Sequence, residues 1–359
     1  MPYAAVPFER GSHERALIRL WADNLSDRLL GGAAEERLRW IYEENPSGPS
    51  RTFLAVETGS QAVIGCGSFF PWTKWVDGRP LRAGTLNDFA VDKDHRVAGA
   101  AIAIQRALAE TSRPAGFDFL TGYPNRNSVR LFDRIGYHRL GDCYLWVKPL
   151  RSAYKVSQLI RPAALARMAA LAVDAVLLAD DVRKLARGIR RYRGELCDRA
   201  DSAFDELWAR ARERYRVVGE RSAAFLNWRY GGSRTQRYRF YRLRERAGGS
   251  MAGYVAFTRS DDRRPVVVDV LATGPEDDVL DDLLLRFAAH MRAAGEEAIS
   301  MPFLGAGHFE RRLTRLGFIR REDFPRTLIV YLDKGAPSEL RPVLLDKEHW
   351  MLFEGEMDL

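Results

Sequence analysis

The hexapeptide Arg96-Val97-Ala98-Gly99-Ala100-Ala101 carries the strongest chemical signal in this chain. Ahead of it, Gly84-Thr85-Leu86-Asn87-Asp88-Phe89-Ala90-Val91 has the apolar and β-branched character of a strand, and Ala100 to Ala109 is built from strong helix formers. A small-residue turn between strand and helix exposes unpaired backbone N–H groups at the positive end of the helix dipole, which makes a seat for phosphate. Gly99 removes the Cβ that would hold a ligand away, Ala100 and Ala101 keep the first helical turn slim, and Arg96 adds fixed positive charge suited to a diphosphate. An ordinary strand-to-helix turn has the same composition, so context decides between the two.

The context is a second segment, Asn125-Arg126-Asn127-Ser128-Val129-Arg130-Leu131-Phe132-Asp133-Arg134-Ile135-Gly136-Tyr137, followed by a strand pattern through Tyr144-Leu145-Trp146-Val147. In order, spacing and context the pair resembles the Arg/Gln-x-x-Gly-x-Gly/Ala pyrophosphate loop and the later Asn…Gly-Phe/Tyr segment of the GCN5-related N-acetyltransferase (GNAT) superfamily, in its tandem two-domain bacterial form. The resemblance covers residues 1–149. It implies transfer of an acyl group from acetyl-CoA or another short acyl-CoA to a primary amine, with Arg96, Val97, Ala98, Gly99, Ala100 and Ala101 holding the diphosphate.

The same resemblance implies roles for the residues around that loop. Phe89, Ala90 and Val91 offer backbone groups to the pantetheine arm, and a main-chain N–H there serves an oxyanion. Asp88 is the candidate general base, against the alternative of a polar residue paired inside the domain. Asn87, on the opposite face by strand alternation, is placed to orient the acceptor. The family often carries a tyrosine where this chain has Phe132, which cannot donate a proton. The acid for a departing thiolate therefore passes to Tyr123, Tyr137 or water. Asn125 matches an asparagine that helps hold the cofactor, with helix capping as the alternative.

Composition bounds these readings. The chain has 359 residues, 46% hydrophobic and 29% charged, long enough for two globular domains. Nothing in Met1 to Ser12 reads as a charged-then-apolar leader, and the longest apolar stretch, Ala163 to Ala179, is broken by Arg167 and Asp174. No membrane span is expected, and that stretch reads as a helix packed between domains. Cys66, Cys143 and Cys197 match no metal spacing and suit a reducing, cytoplasmic compartment; Cys66 lies in an apolar run and reads as core. No metal is expected.

The net charge of +8 is concentrated: residues 151–250 hold 23 Lys+Arg against 11 Asp+Glu, a surplus of 12. No nucleic-acid-binding motif accompanies it, so a solvated helix face or a polyanionic acceptor is expected rather than nucleic acid. An amino sugar or polysaccharide precursor leads as acceptor, ahead of an antibiotic, a peptide or a protein amine. A non-catalytic acyl-CoA-binding scaffold is the rival outside catalysis.

An internal repeat organises the whole. Glu36-Arg37-Leu38-Arg39-Trp40-Ile41-Tyr42 is echoed by Ala224-Phe225-Leu226-Asn227-Trp228-Arg229-Tyr230, and Leu131 to Tyr137 by Leu313 to Phe318. The expected architecture is α+β: two tandem domains, each a mixed, mainly antiparallel sheet flanked by helices. The boundaries read as 1–149 with the acyl-CoA site, a helical linker over 150–200, a degenerate copy over 201–335, and a separate tail over 336–359. In the second copy Gly274-Pro275-Glu276-Asp277-Asp278 replaces the phosphate loop, and its acids repel a diphosphate.

Overall fold

The computed structural model describes residues 3–25, 34–95, 98–125, 128–185, 191–233, 236–259, 264–275 and 278–357. The first half supplies β1 (Tyr3–Pro7), β2 (Arg51–Glu57), β3 (Val63–Val76), β4 (Arg79–Val91), β5 (Phe119–Gly122) and β6 (His138–Pro149). The second supplies β7 (Tyr192–Cys197), β8 (Val217–Gly219), β9 (Arg239–Glu245), β10 (Met251–Arg259), β11 (Pro265–Ala272), β12 (Ala298–Gly305), β13 (Ile319–Tyr331) and β14 (Met351–Phe353). The helices are α1 (Arg10–Asn24), α2 (Ala34–Arg37, running on as a π turn over Leu38–Glu43), α3 (Ala98–Ser112) and α4 (Val129–Ile135) in the first half. A hairpin of α5 (Ala153–Leu159) and α6 (Ala163–Leu185) comes next, then α7 (Ser202–Ala211), α8 (Ala223–Gly231), α9 (Val279–Ala293), α10 (Gly307–Arg315) and α11 (Leu340–Leu344).

All the strands join one sheet, in the order β1-β2-β3-β4-β5-β13-β6-β12-β11-β10-β9-β7, with β14 attached to β12 and β8 to β3. The order reads alike from either end when each strand is matched to its counterpart in the other half. At its centre the halves exchange strands: β13 of the second half lies between β5 and β6 of the first, and β6 lies between β13 and β12. The repeated tryptophans meet across the same interface. Trp40 Nε1 donates to the carbonyl of Trp228 at 2.8 Å, and Trp228 Nε1 returns a bond of 2.8 Å to the carbonyl of Trp40. Reciprocal bonds of this kind mark a local twofold relation between the copies.

Three expectations are corrected. The stretch 150–200 is not wholly helical, because Tyr192–Cys197 forms edge strand β7, the partner of β9. The 336–359 tail is not separate: β14 pairs with β12, and Glu356 is buried between the halves. Helix α6 does not lie between two domains; it packs by one face and leaves the other exposed. Among the described residues no helix is long and apolar enough to cross a membrane.

Two local features shape the central strands of the first half. Asp77-Gly78 closes the β3–β4 hairpin with φ of +46° and +76°, the double left-handed turn that matches strand twist. Gly67 on β3 lets α3 settle on the sheet, since a Cβ there would stand 2.6 Å from Ile104 Cγ2.

Candidate active site

Strand β4 carries a bulge at the residue the sequence marks for chemistry. Its register against β3 runs Cys66 to Ala90 and Ser68 to Asn87, so Asp88 and Phe89 together face Gly67. Asp88 has φ of +48°, a strained value for a residue with a Cβ. The strain is held by a dense set of donors. Arg37 Nε reaches the carboxylate oxygens at 3.1 and 3.3 Å and Nη2 reaches Oδ1 at 2.5 Å, while the Tyr42 hydroxyl donates at 2.9 Å and Asn87 Nδ2 at 3.2 Å. Arg37 and Tyr42 come from α2 and its π turn, a tightly specified approach that pins helix to strand.

This geometry corrects two assignments. Asp88 is buried, with its carboxylate bonded to a guanidinium and two further donors, so it is a structural ion pair rather than a free general base. Asn87 does not point away from Asp88. The bulge breaks the alternation and brings both onto one face.

The pairing of β4 with β5 stops just before the bulge. The parallel register of β4 with β5 consists of Ala83–Phe119, Gly84–Leu120 and Thr85–Thr121, and ends there. Leu86 through Val91 have no β5 partner, and β5 ends one residue after Thr121, at Gly122, paired with Ile329 of β13. Thr85 Oγ1 and Thr121 Oγ1, 3.3 Å apart, show which side chains share a face at the last pair. By the pleat, Asn87 and Tyr123 come next on that face, one on each lip of the opening. Each holds a buried polar atom without a partner: Asn87 Oδ1 and the Tyr123 hydroxyl. Burial, reinforced by the charge of Glu356, pushes the Tyr123 phenol well above its ordinary value. Tyr137 lies elsewhere, edge-on to Phe132 with ring centroids 5.1 Å apart and against Tyr331, where burial raises its pKa as well.

The remaining predicted residues lie on β4, at the start of α3 and at the entry to α4. Phe89 points to the opposite face and packs on Phe132, while Ala90 is buried among the residues of the α1 side and Val91 is half-buried. Helix α3 begins at Ala98; Gly99 is exposed, with the Tyr3 ring 3.4 Å from where its Cβ would stand, and Ala100 is buried while Ala101 is half-buried. Arg96 and Val97 lie outside the described residues. Asn125 Oδ1 accepts from Ser128 N and Ser128 Oγ, both at 3.0 Å, and so holds the start of α4.

The second half repeats the framework and fills its opening. Asp269 on β11, next to a register shift between Ala256 and Phe257 of β10, takes bonds from Arg221 at 2.9 Å and from the Tyr254 hydroxyl at 2.6 Å. Here β11 and β12 pair in parallel at Val266–Ser300, and the far end of β12 is taken by β14. The turn after β14 runs into the gap: a Cβ on Gly355 would stand 2.7 Å from the Val268 carbonyl. Glu356 is buried between Arg221, at 2.5 Å, and Lys74. Burial pushes the Glu356 carboxyl upward, but Arg221 and Lys74 outweigh it and hold it below the usual range. In the second half the space beyond the parallel pair is therefore occupied by the chain's own C-terminal segment, whereas in the first half no strand among the described residues pairs with β4 on that side beyond Thr85.

Cys66 is not a nucleophile. Its Sγ donates to the Asp88 carbonyl at 3.2 Å, and burial with the Asp88 charge pushes the thiol up to about 12. Native protein treated with iodoacetamide near pH 8 is expected to leave Cys66 unmodified, with full labelling after denaturation. Rapid labelling of Cys66 in the folded state, read by peptide mass, would contradict this placement.

A bulged central strand, a strand that parts from it and a helix that follows define an α+β fold present twice in one chain. Residues 16–137 match the acetyltransferase (GNAT) family. No curated protein matches the sequence. A GCN5-related N-acetyltransferase from Kribbella flavida superposes with a TM-score of 0.60 at 16% identity, covering 92% of this chain and 71% of its own. A tandem GNAT protein from the clavulanic acid biosynthesis pathway gives 0.53 at 13%, with 92% and 98% covered. A glucosamine N-acetyltransferase region of a fungal multi-domain β-N-acetylglucosaminidase gives 0.54 at 11%, with 92% and 38% covered. These likenesses establish the fold, including its tandem form.

Proposed function

We propose that this chain is an acyl-CoA-dependent N-acyltransferase with a single working site, in the first half. The observation that supports the reading is the contrast between the two copies: β4 and β5 part after Thr85–Thr121 with no strand among the described residues between them, while β14 and Glu356 occupy the corresponding place in the other copy. The residues present suit an acyl-CoA. The amides at the start of α3, with Gly99, Ala100 and Ala101, suit its diphosphate, and Arg96 and Val97 precede them in sequence. The β4 edge over Phe89, Ala90 and Val91 suits its amide-bearing arm, and Asn125 sets the loop entering α4. When bound, the acyl-CoA supplies an activated thioester carbonyl.

The chain's own groups then divide the work. Asn87 Oδ1, buried and unpartnered, orients an incoming amine by accepting from it. The Tyr123 hydroxyl holds its proton through neutral pH and donates it to a departing thiolate. Asp88 and Arg37 keep the bulge in shape. No side chain of the described wedge is left as a strong base, so the amine arrives neutral or loses its proton to water.

The acceptor is a primary amine. An amino sugar or a polysaccharide precursor leads, supported by the arginine-rich second half and by what the fungal neighbour acts on; acetyl is the first acyl group to try. A thiol-release assay with acetyl-CoA over a panel of glucosamine derivatives, aminoglycosides and peptide amines tests the proposal. Stimulated release with at least one class is expected, and acyl-CoA binding with no release for any class would replace the enzyme with a binding protein. The three thiols, none in a disulfide, fit the cytoplasmic reading.

A further inference from the structure

Helix α6 is built inside out. Over its 23 residues the buried side chains are Ala166, Ala170 and Asp181, with Leu185 packed on the core at its end, while Leu165, Met168, Leu171, Val176, Leu178 and Val182 face solvent. Met168, Leu171 and Val176 are 68%, 67% and 69% exposed, where a surface helix normally turns such residues inward. Its acids do the reverse. Asp174 accepts from the backbone N–H of Ser152 at 2.6 Å, and Asp181 is buried between Lys148 at 2.8 Å and Arg292 at 2.7 Å. Helix α5 extends the same apolar surface with Tyr154 and with Leu159, which is 84% exposed. A continuous patch of this kind calls for something to cover it.

Charge indicates what covers it. Lys155, Arg161, Arg167 and Arg183 are exposed around the patch, whereas every acid between residues 151 and 185 is engaged: Asp174 and Asp181 as above, and Asp180 with Arg183 and Lys184. A second copy docking here would set one cationic rim against another with no free carboxylate to pair. An apolar face rimmed by cations fits an anionic lipid surface, with the helix lying in the headgroup plane. We propose that the outer face of the α5–α6 hairpin docks this protein on anionic lipid membranes.

The test is co-sedimentation with vesicles. Full-length protein is expected to bind vesicles of an equal mixture of phosphatidylcholine and phosphatidylglycerol at least about tenfold better than vesicles of phosphatidylcholine alone, and to release as salt rises. Leu165→Glu/Met168→Glu/Leu171→Glu alters only exposed positions, so its circular dichroism and melting temperature are expected to match wild type while vesicle binding falls about tenfold or more. Absence of binding by wild type, equal binding to both vesicle types, or undiminished binding by the triple variant would overturn the proposal. So would a wild-type dimer in sedimentation velocity that the triple variant dissolves, since the face would then belong to a second copy. The readout is independent of acyl transfer.

Discussion

Replacing Arg37 with methionine is expected to lower the unfolding free energy by about 3–5 kcal/mol, because it leaves the Asp88 carboxyl group buried and without its cation. The two side chains are 5% and 1% exposed, so water cannot take over the role of the guanidinium. Adding Asp88→Asn is expected to recover part of the loss, since the uncompensated carboxyl group goes with it. The measurement is urea unfolding followed by tryptophan fluorescence. A loss below about 1 kcal/mol would show that the pair is worth no more than a surface ion pair. Because Asp88 is a structural group, Asp88→Asn alone is expected to leave the shape of the pH–rate profile unchanged.

The second large effect concerns the lips of the wedge. Tyr123→Phe removes one buried, unpartnered oxygen and little else, and a rate loss of about 10²–10⁴ is expected with the KM for acyl-CoA nearly constant. The raised phenol stays protonated through neutral pH, so the activity it supports is present there and fades only as the medium rises above the ordinary tyrosine range. Tyr137→Phe is the control. Its hydroxyl is also buried without a partner, but it belongs to the aromatic cluster of Phe132 and Tyr331 on the other face, so activity is expected to survive and stability to hold or improve. The opposite pattern, with Tyr137→Phe inactive and Tyr123→Phe active, would reverse the assignment.

Much of this architecture is legible in the residues themselves. The paired Trp40 and Trp228 segments mark the repeat, and the acids at Gly274–Asp282 mark the copy that departs from the pattern. What is not legible depends on long-range pairing. Strands β6 and β13 read as the last strand of each copy, and no local pattern states that each inserts beside the other's partner. The tail carries Glu356, whose burial depends on Lys74 and Arg221, groups 282 and 135 residues away. At the site, strand alternation fails at one residue: the bulge at Asp88 cannot be read from Asn87-Asp88-Phe89, none of which is a glycine. Arg37 and Tyr42 are hidden as its partners for the same reason, although both stand in the repeated segment. Arg96 and Val97, the charged start of the phosphate seat, lie outside the described residues, so the sequence alone speaks for them.

Calorimetric titration with CoA tests the central claim most directly. Wild-type protein is expected to bind one CoA per chain, because the second copy's place is filled by β14 and Glu356 and lacks the small-residue helix start. Gly99→Glu, which puts an anion at the start of α3, is expected to abolish that binding while the fold melts as before. Two sites per chain, or an affinity untouched by Gly99→Glu, would contradict the account.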